Sequence, residues 1–355
     1  MHVTHLSLRA LTADILHRAG APAGEARAVA DHLVEANLNG HDSHGVQLVR
    51  RYVEQIAQGT CVPGTRVTCI NDGGAILQFD GGRGFGICVG REAMHKAMER
   101  CKTTGVVLMT LRNAAHIGRV GAYAEMALEA GLISIHFVNV VDHKPMVAPF
   151  TGKDARFGTN PICIGIPAGK DRTPFLLDMA TSAIAMGKVM VAHQSGQMLQ
   201  DHAIIDASGQ PSNDPAKYIG PPQGALLPFG LHKGYGLMLA CEILAGAMTG
   251  YGTIQPGTPR RGGIINNMFS LIADPAHLGD PGAINTEIEA LKGYLKAAPT
   301  ISGEAVQIAG DPERQAKAKR LEMGIYLPPG TLNELSSAAE KAGLGNDALN
   351  ALKAL

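Results

Sequence analysis

Two short stretches carry residue types suited to proton transfer. Asn113-Ala-Ala-His116-Ile-Gly118-Arg119-Val-Gly121 places an imidazole between glycines, and a histidine there can act as general acid or base near neutral pH while the glycines let a ligand approach backbone. The other reading of His116, a hydrogen-bonded structural histidine, stays open. Ser43-His44-Gly45 sits between one helical pattern that ends at Gly40 and the next. Ser43 can cap that second helix, and His44 can point into a cleft. A nucleophilic Ser-His pair is not expected, because adjacent side chains do not normally face each other as hydroxyl and base must. Three further stretches suit a ligand. Gly158-Thr159-Asn160-Pro161 reads as a turn, and Asp178-Met179-Ala180-Thr181-Ser182 as a strand end bringing a carboxylate and hydroxyls together. His232-Lys233-Gly234 opens a helix, where the dipole disfavours a cation unless an anion such as a cofactor phosphate joins it.

The elements that hold these residues can be read from periodicity. Leu8, Leu11 and Ile15, then Ala26, Val29, Leu33 and Asn37, then Val46, Val49, Tyr52 or Val53, and Ile56 mark three amphipathic helices stopped at Gly20, Gly40 and Gly59. Strands are expected at 75–79, 105–111 and 132–140, with helices from about Ile87 to Cys101 and Val120 to Ala130 between them. This alternation predicts a βαβαβ unit with a buried sheet, and loops after strand ends in such sheets are where ligands bind. Further strands are expected at 162–167, 174–180 and 264–273, and a buried helix at 234–249. Residues 194–223 read as loop or hairpin, and helices at 312–323 and 332–352 close the chain.

Several chemistries are excluded by what is missing. GGRGFGICVG at 81–90 fails the G-x-G-x-x-G spacing, and the Gly-Lys pairs at 152, 169 and 187 lack the Ser or Thr of a phosphate-binding loop. The 14 histidines show no ligand-like spacing with carboxylates, so no metal site is expected and a metal-dependent hydrolase is disfavoured. The 6 cysteines form no CxxC pair and are expected as buried thiols in a reducing cytosol. With 31 basic against 31 acidic residues, the chain lacks the footprint of a nucleic-acid or membrane-surface binder. No secretory leader or spanning stretch is visible, which points to a cytoplasmic protein whose partner is a small molecule or another copy of the chain.

The blocks DSHG (42–45), HIGRVG (116–121), MVAPFTGKDARFGTNP (146–161), LDMATSAIAMGK (177–188) and HKGYGLMLACEILAGAMTG (232–250), in that order, resemble the malate/L-lactate dehydrogenase family of the second type, and its hydroxycarboxylate dehydrogenase branch in particular. The resemblance implies NAD- or NADP-dependent interconversion of 2-oxo and 2-hydroxy acids by a homodimer. It implies an α/β fold with a non-Rossmann mixed β-sheet core flanked by helices at 73–299, and a helical domain made by residues 1–72 with the C-terminal segment 300–355. His116 matches the family's catalytic histidine, and Ser43 and His44 match its substrate pocket. Asp178, Met179, Ala180 and Lys233 match cofactor contacts, with Gly310 and Asp311 alongside them. Where the family often places an arginine five residues after the serine, this chain has Leu48. Arg50 and Arg51 are expected to face other sides of the helix, which leaves Arg119 as the expected carboxylate ligand. Reduction of a cyclic imino acid, known in the same family, is the alternative activity.

Overall fold

A computed structural model describes residues 1–353 apart from 170–171, 258–260, 302 and 346. In chain order the first half contains β1 (His2–Val3), α1 (His5–Arg18), α2 (Ala23–Leu38), α3 (Val49–Ala57), β2 (Thr68–Asp72), β3 (Ile76–Asp80), α4 (Gly86–Thr104), β4 (Val106–Ala115), α5 (Gly121–Glu129) and β5 (Ile133–Val141). Then come β6 (Ile162–Ile166), β7 (Phe175–Met179), α6 (Met186–Ser195), β8 (Ile204–Ile205), β9 (Pro211–Ser212), α7 (Ala216–Ile219), β10 (Ala225–Leu226) and α8 (His232–Cys241). The remainder is β11 (Ile265–Ala273), α9 (Pro281–Lys296), α10 (Asp311–Met323), β12 (Ile325–Tyr326) and α11 (Pro329–Lys341).

The central sheet runs β2-β3-β4-β11-β5-β6-β7. Its one parallel pair is β3 with β4, joined through α4. β4 and β5 do not touch, because β11 enters between them antiparallel to both. The expected βαβαβ order along the chain is therefore present, but its last two strands are neighbours of a strand from far downstream. α4 and α5 cover one face of the sheet, where Ala93, Met94, Ala97 and Tyr123 meet Met109, Leu111 and Val138. Fully burying each such side chain contributes roughly 1.5–3 kcal/mol.

The two ends of the chain share another core. Leu8, Ile15, Leu33, Val49 and Tyr52 pack with Ile325, Leu327 and Leu335, and β1 pairs with β12. Arg50 of α3 reaches Glu334 of α11 at 3.2 Å. A third cluster joins Val189 of α6, Ile204, Tyr218 and Leu226 to Met238 of α8, so the stretch read as loop carries a small sheet, β10-β8-β9.

Several expectations need correction. β2, α6 and α9 were not foreseen. The helix expected over 234–249 is α8 followed by a π-helical segment, Glu242–Ala247, and one face is open, with Leu239, Ile243 and Met248 36%, 41% and 59% exposed. The final helix ends at Lys341, and Ala348–Ala351 forms a separate 3-10 turn. Cys69 is exposed, whereas Cys61, Cys101, Cys163 and Cys241 are buried free thiols.

Candidate active site

β4 ends at Ala115, and His116-Ile117-Gly118 turns the chain into α5. The turn is held from beneath by asparagines. Asn113, in left-handed geometry at φ 55, donates its backbone N–H to Asn267 Oδ1 at 2.8 Å, and Ile117 N–H reaches Asn266 Oδ1 at 3.1 Å. Asn267 Nδ2 donates to Asn139 Oδ1 at 2.9 Å, and Asn139 Nδ2 to Glu242 Oε1 at 3.1 Å. Glu242 also accepts from Asn160 Nδ2 and from the Ile254 N–H, both at 2.7 Å. The ladder thus runs from the His116 loop through β11 and β5 to the π-helical segment. An unmade hydrogen bond inside it would cost about 1–3 kcal/mol, so the buried polar groups fix the loop's position. Gly118 has φ +73, and a Cβ there would fall 2.2 Å from His32 Nε2.

Three aromatic side chains converge at the end of this turn. The Tyr52 hydroxyl lies 2.7 Å from His116 Nδ1, and the His44 ring stacks on His116 with centroids 6.0 Å apart and planes 15° from parallel. Burial, reinforced by electrostatic coupling to His44, Arg51 and His143, lowers the His116 pKa to about 3. Burial also lowers the His44 pKa to about 4, against the opposing pull of the Asp178 carboxylate. Burial pushes the Tyr52 phenol above its ordinary range, so it stays a hydroxyl. At neutral pH the site therefore presents two uncharged imidazoles, one with its Nδ1 already engaged. Ser43 Oγ lies 3.1 Å from His44 Nδ1, the neighbour contact that sequence reasoning discounted. Ser43 makes no capping bond, because residues 42–48 form two 3-10 turns before α3 begins.

Arg119 is placed differently from its expected role. Its side chain is 2% exposed and its Nη2 is bonded to Glu125, while Nη1 lies 3.9 Å from Asp178 Oδ2. Its backbone N–H donates to His32 Nε2 at 2.8 Å. A substrate carboxylate would have to displace two resident carboxylates to reach this guanidinium. Asp178 accepts the Gly121 N–H at 2.8 Å, which pins the end of β7 to the start of α5.

The expected cofactor residues fall along β7 and the segments packed near its two ends. Asp178, Met179 and Ala180 are half-buried at the strand end. Thr181, next in the chain, accepts the Phe229 N–H at 3.1 Å through its carbonyl, which brings the approach to α8 alongside. Lys233 is exposed in the first turn of α8. Gly310 and Asp311 begin α10 beside the other end of β7, where the Leu176 N–H donates to the Ala309 carbonyl at 3.2 Å. Arg314, Lys296 and the Ile308 N–H hold the Asp311 carboxylate at 2.7, 2.9 and 3.0 Å, and keep it well below the usual carboxylate range despite partial burial. A cleft of about 740 Å³ opens beside His143, lined by Phe157, Leu239, Glu242 and Thr253. No group of three or more His, Cys, Asp or Glu among the described residues is placed to hold a metal.

A model of the malate/L-lactate dehydrogenase family matches residues 3–336. The chain belongs to this family. It is 40% identical over 339 residues to hydroxycarboxylate dehydrogenase B of Escherichia coli K12, covering 95% of this chain and 93% of that protein. It is also 40% identical over 320 residues to an L-lactate dehydrogenase of Cupriavidus necator, covering 90% and 92%. A solved structure of an E. coli protein assigned as a malate/lactate dehydrogenase superposes with a TM-score of 0.94 at 38% identity, covering 99% of this chain and 98% of that one. As a member of a dehydrogenase family the chain is an oxidoreductase of hydroxy acids, and the family implies a nicotinamide cofactor.

Sequence reasoning missed Tyr52, Asn266, Asn267 and Glu242 as parts of this candidate site. The signal for the asparagines was present: two consecutive amides in an otherwise apolar strand must find buried partners. Tyr52 gave no such signal, since it reads as one more apolar position of α3.

Proposed function

We propose that this chain transfers hydride between nicotinamide and C2 of a 2-oxo or 2-hydroxy acid, with His116 carrying the proton. The observation that carries this reading is the 2.7 Å contact between the Tyr52 hydroxyl and His116 Nδ1 at the end of β4. Because Nδ1 is occupied, Nε2 is the nitrogen left to meet the substrate oxygen. The bound nicotinamide supplies or takes up the hydride. In oxidation the neutral imidazole accepts the hydroxyl proton, and in reduction the imidazolium returns it to the nascent alkoxide. His44, stacked on His116, lines the same face, with Ser43 on its Nδ1.

The residues fit a dinucleotide in their donor chemistry. The exposed start of α8 presents Lys233 at a helix N-terminus, a combination that attracts phosphate. Asp178, Met179 and Ala180 would line the nicotinamide end, where Arg119 Nη1 is buried without a hydrogen-bond partner. Gly310 and Asp311 would contribute backbone, since the Asp311 carboxylate is already held by two cations. The cofactor is NAD or NADP, and the acting species a homodimer.

His116→Gln tests the assignment. Turnover should fall by about 10²- to 10⁴-fold while reduced-cofactor binding, read by fluorescence, is kept. A variant with near-normal kcat would remove His116 from the reaction. A panel of 2-oxo acids and a cyclic imino acid, assayed with both cofactors, identifies the substrate class, and preference for the imine would replace the hydroxy-acid reading.

A further inference from the structure

A 2-oxo acid needs a cation for its carboxylate, and the arginines around His116 differ in whether they are free to supply one. Arg119 is bonded to Glu125 in the interior. Arg50 pairs with Glu54 at 3.0 Å and with Glu334 at 3.2 Å. Arg83 is held by Asp142 at 3.2 Å and by the Gly262 carbonyl at 2.6 Å, and Arg112 by Asp80 at 2.9 Å. Arg51 is half-buried on α3 and makes no side-chain hydrogen bond or ion pair with any described residue. It lies one helical turn beyond Leu48 and next to Tyr52, whose hydroxyl is on His116.

We propose that Arg51 is the residue that receives the substrate carboxylate, in place of the arginine this chain lacks at position 48. This rests on the 2-oxo acid reading above. The guanidinium lies near enough for its charge to act on Tyr52 of the same helix, on His116 after β4 and on His143 after β5. His143 also lines the 740 Å³ cleft. A planar guanidinium can grip a carboxylate through two N–H donors, and that carboxylate is one bond from the C2 carbonyl whose oxygen His116 protonates. α3 then sets the spacing between clamp and acid, since Arg51 and the tyrosine orienting His116 are consecutive residues.

The test compares wild type, Arg51→Ala, Arg51→Lys and Arg50→Ala on the best 2-oxo acid of the panel, with oxamate binding by calorimetry as a turnover-independent readout. Losing a charged hydrogen-bonding pair should raise KM and the oxamate Kd of Arg51→Ala by about 10- to 150-fold, with cofactor binding unchanged. Arg51→Lys should fall between, because it keeps the charge without the fork, and Arg50→Ala should match wild type. KM and oxamate Kd within threefold of wild type in Arg51→Ala would overturn the clamp and leave the hydride-transfer reading standing. A wild type that turns over none of the acids would overturn that reading, and the clamp with it.

Discussion

At the scale of single residues, the proposed chemistry turns on keeping His116 uncharged and aimed. Its pKa is lowered to about 3, chiefly by burial. Oxidation needs the neutral imidazole, which is present above that value, so the acid limb of kcat/KM for oxidation should lie well below the ordinary histidine value of about 6.5. A pH profile showing an inflection near 6.5 that vanishes in His116→Gln would contradict this. Tyr52 supplies the aim. Tyr52→Phe should lower kcat by about 10²-fold with little change in KM, because the imidazole loses its fixed tautomer and orientation rather than its substrate contacts. His116, His44 and Asp178 could be proposed from the sequence because each lies in a motif beside a glycine or at a strand end. Arg51 and Tyr52 could not, since helical periodicity predicts burial and does not say which group meets a side chain from a turn 64 positions away.

At the scale of elements, the 42–45 turn is gripped by both α2 and α10. Arg320 of α10 places Nη1 and Nη2 2.6 and 2.9 Å from the Asp42 carboxylate. Asn37 of α2, 3% exposed, accepts the Val46 N–H at 2.9 Å and donates to Asp42 at 2.7 Å. The two supports differ in weight. The Asp42 side chain is 51% exposed, so the ion pair is screened and Arg320→Ala should cost less than about 1 kcal/mol in denaturant unfolding. Asn37→Ala strands a buried backbone N–H and should cost about 1–3 kcal/mol. The reverse ranking would mean that α10, not α2, positions His44. Most elements could be read from the chain: β4 and β5 are apolar runs, and α1 and α2 have clear faces and stops. β2 could not, since all five of its residues are exposed at the sheet edge. The insertion of β11 between β4 and β5 was equally invisible, because strand pairing across more than a hundred residues leaves no local pattern. α9 did carry a start signal, Asp280 accepting the Ala283 N–H ahead of Pro281.

At the scale of the whole molecule, balanced charge conceals an acid liability. Of 14 histidines, His32, His44, His116, His136 and His143 all have pKa values lowered mainly by burial, and His136 is wholly inaccessible on β5 with Nδ1 on Ser270 at 2.7 Å. Each is neutral in the folded chain and titrates near 6.5 once unfolded. Above pH 6.5 neither state takes up these protons, so stability is unaffected. Below it the unfolded chain binds them first, and each histidine removes about 1.4 kcal/mol of stability per pH unit until its folded pKa is reached. Because several such histidines act in the same direction, their losses add against a stability of only about 5–15 kcal/mol. Urea unfolding followed from pH 7.5 downward should therefore show stability falling below about pH 6.5 with a slope of more than one proton, and a stability that does not fall there would mean that these imidazoles are charged in the folded protein. His116→Gln should reduce the slope by one proton even in the absence of substrate or cofactor. That single measurement ties the acid sensitivity of the whole chain to the protonation state of its proposed catalytic base.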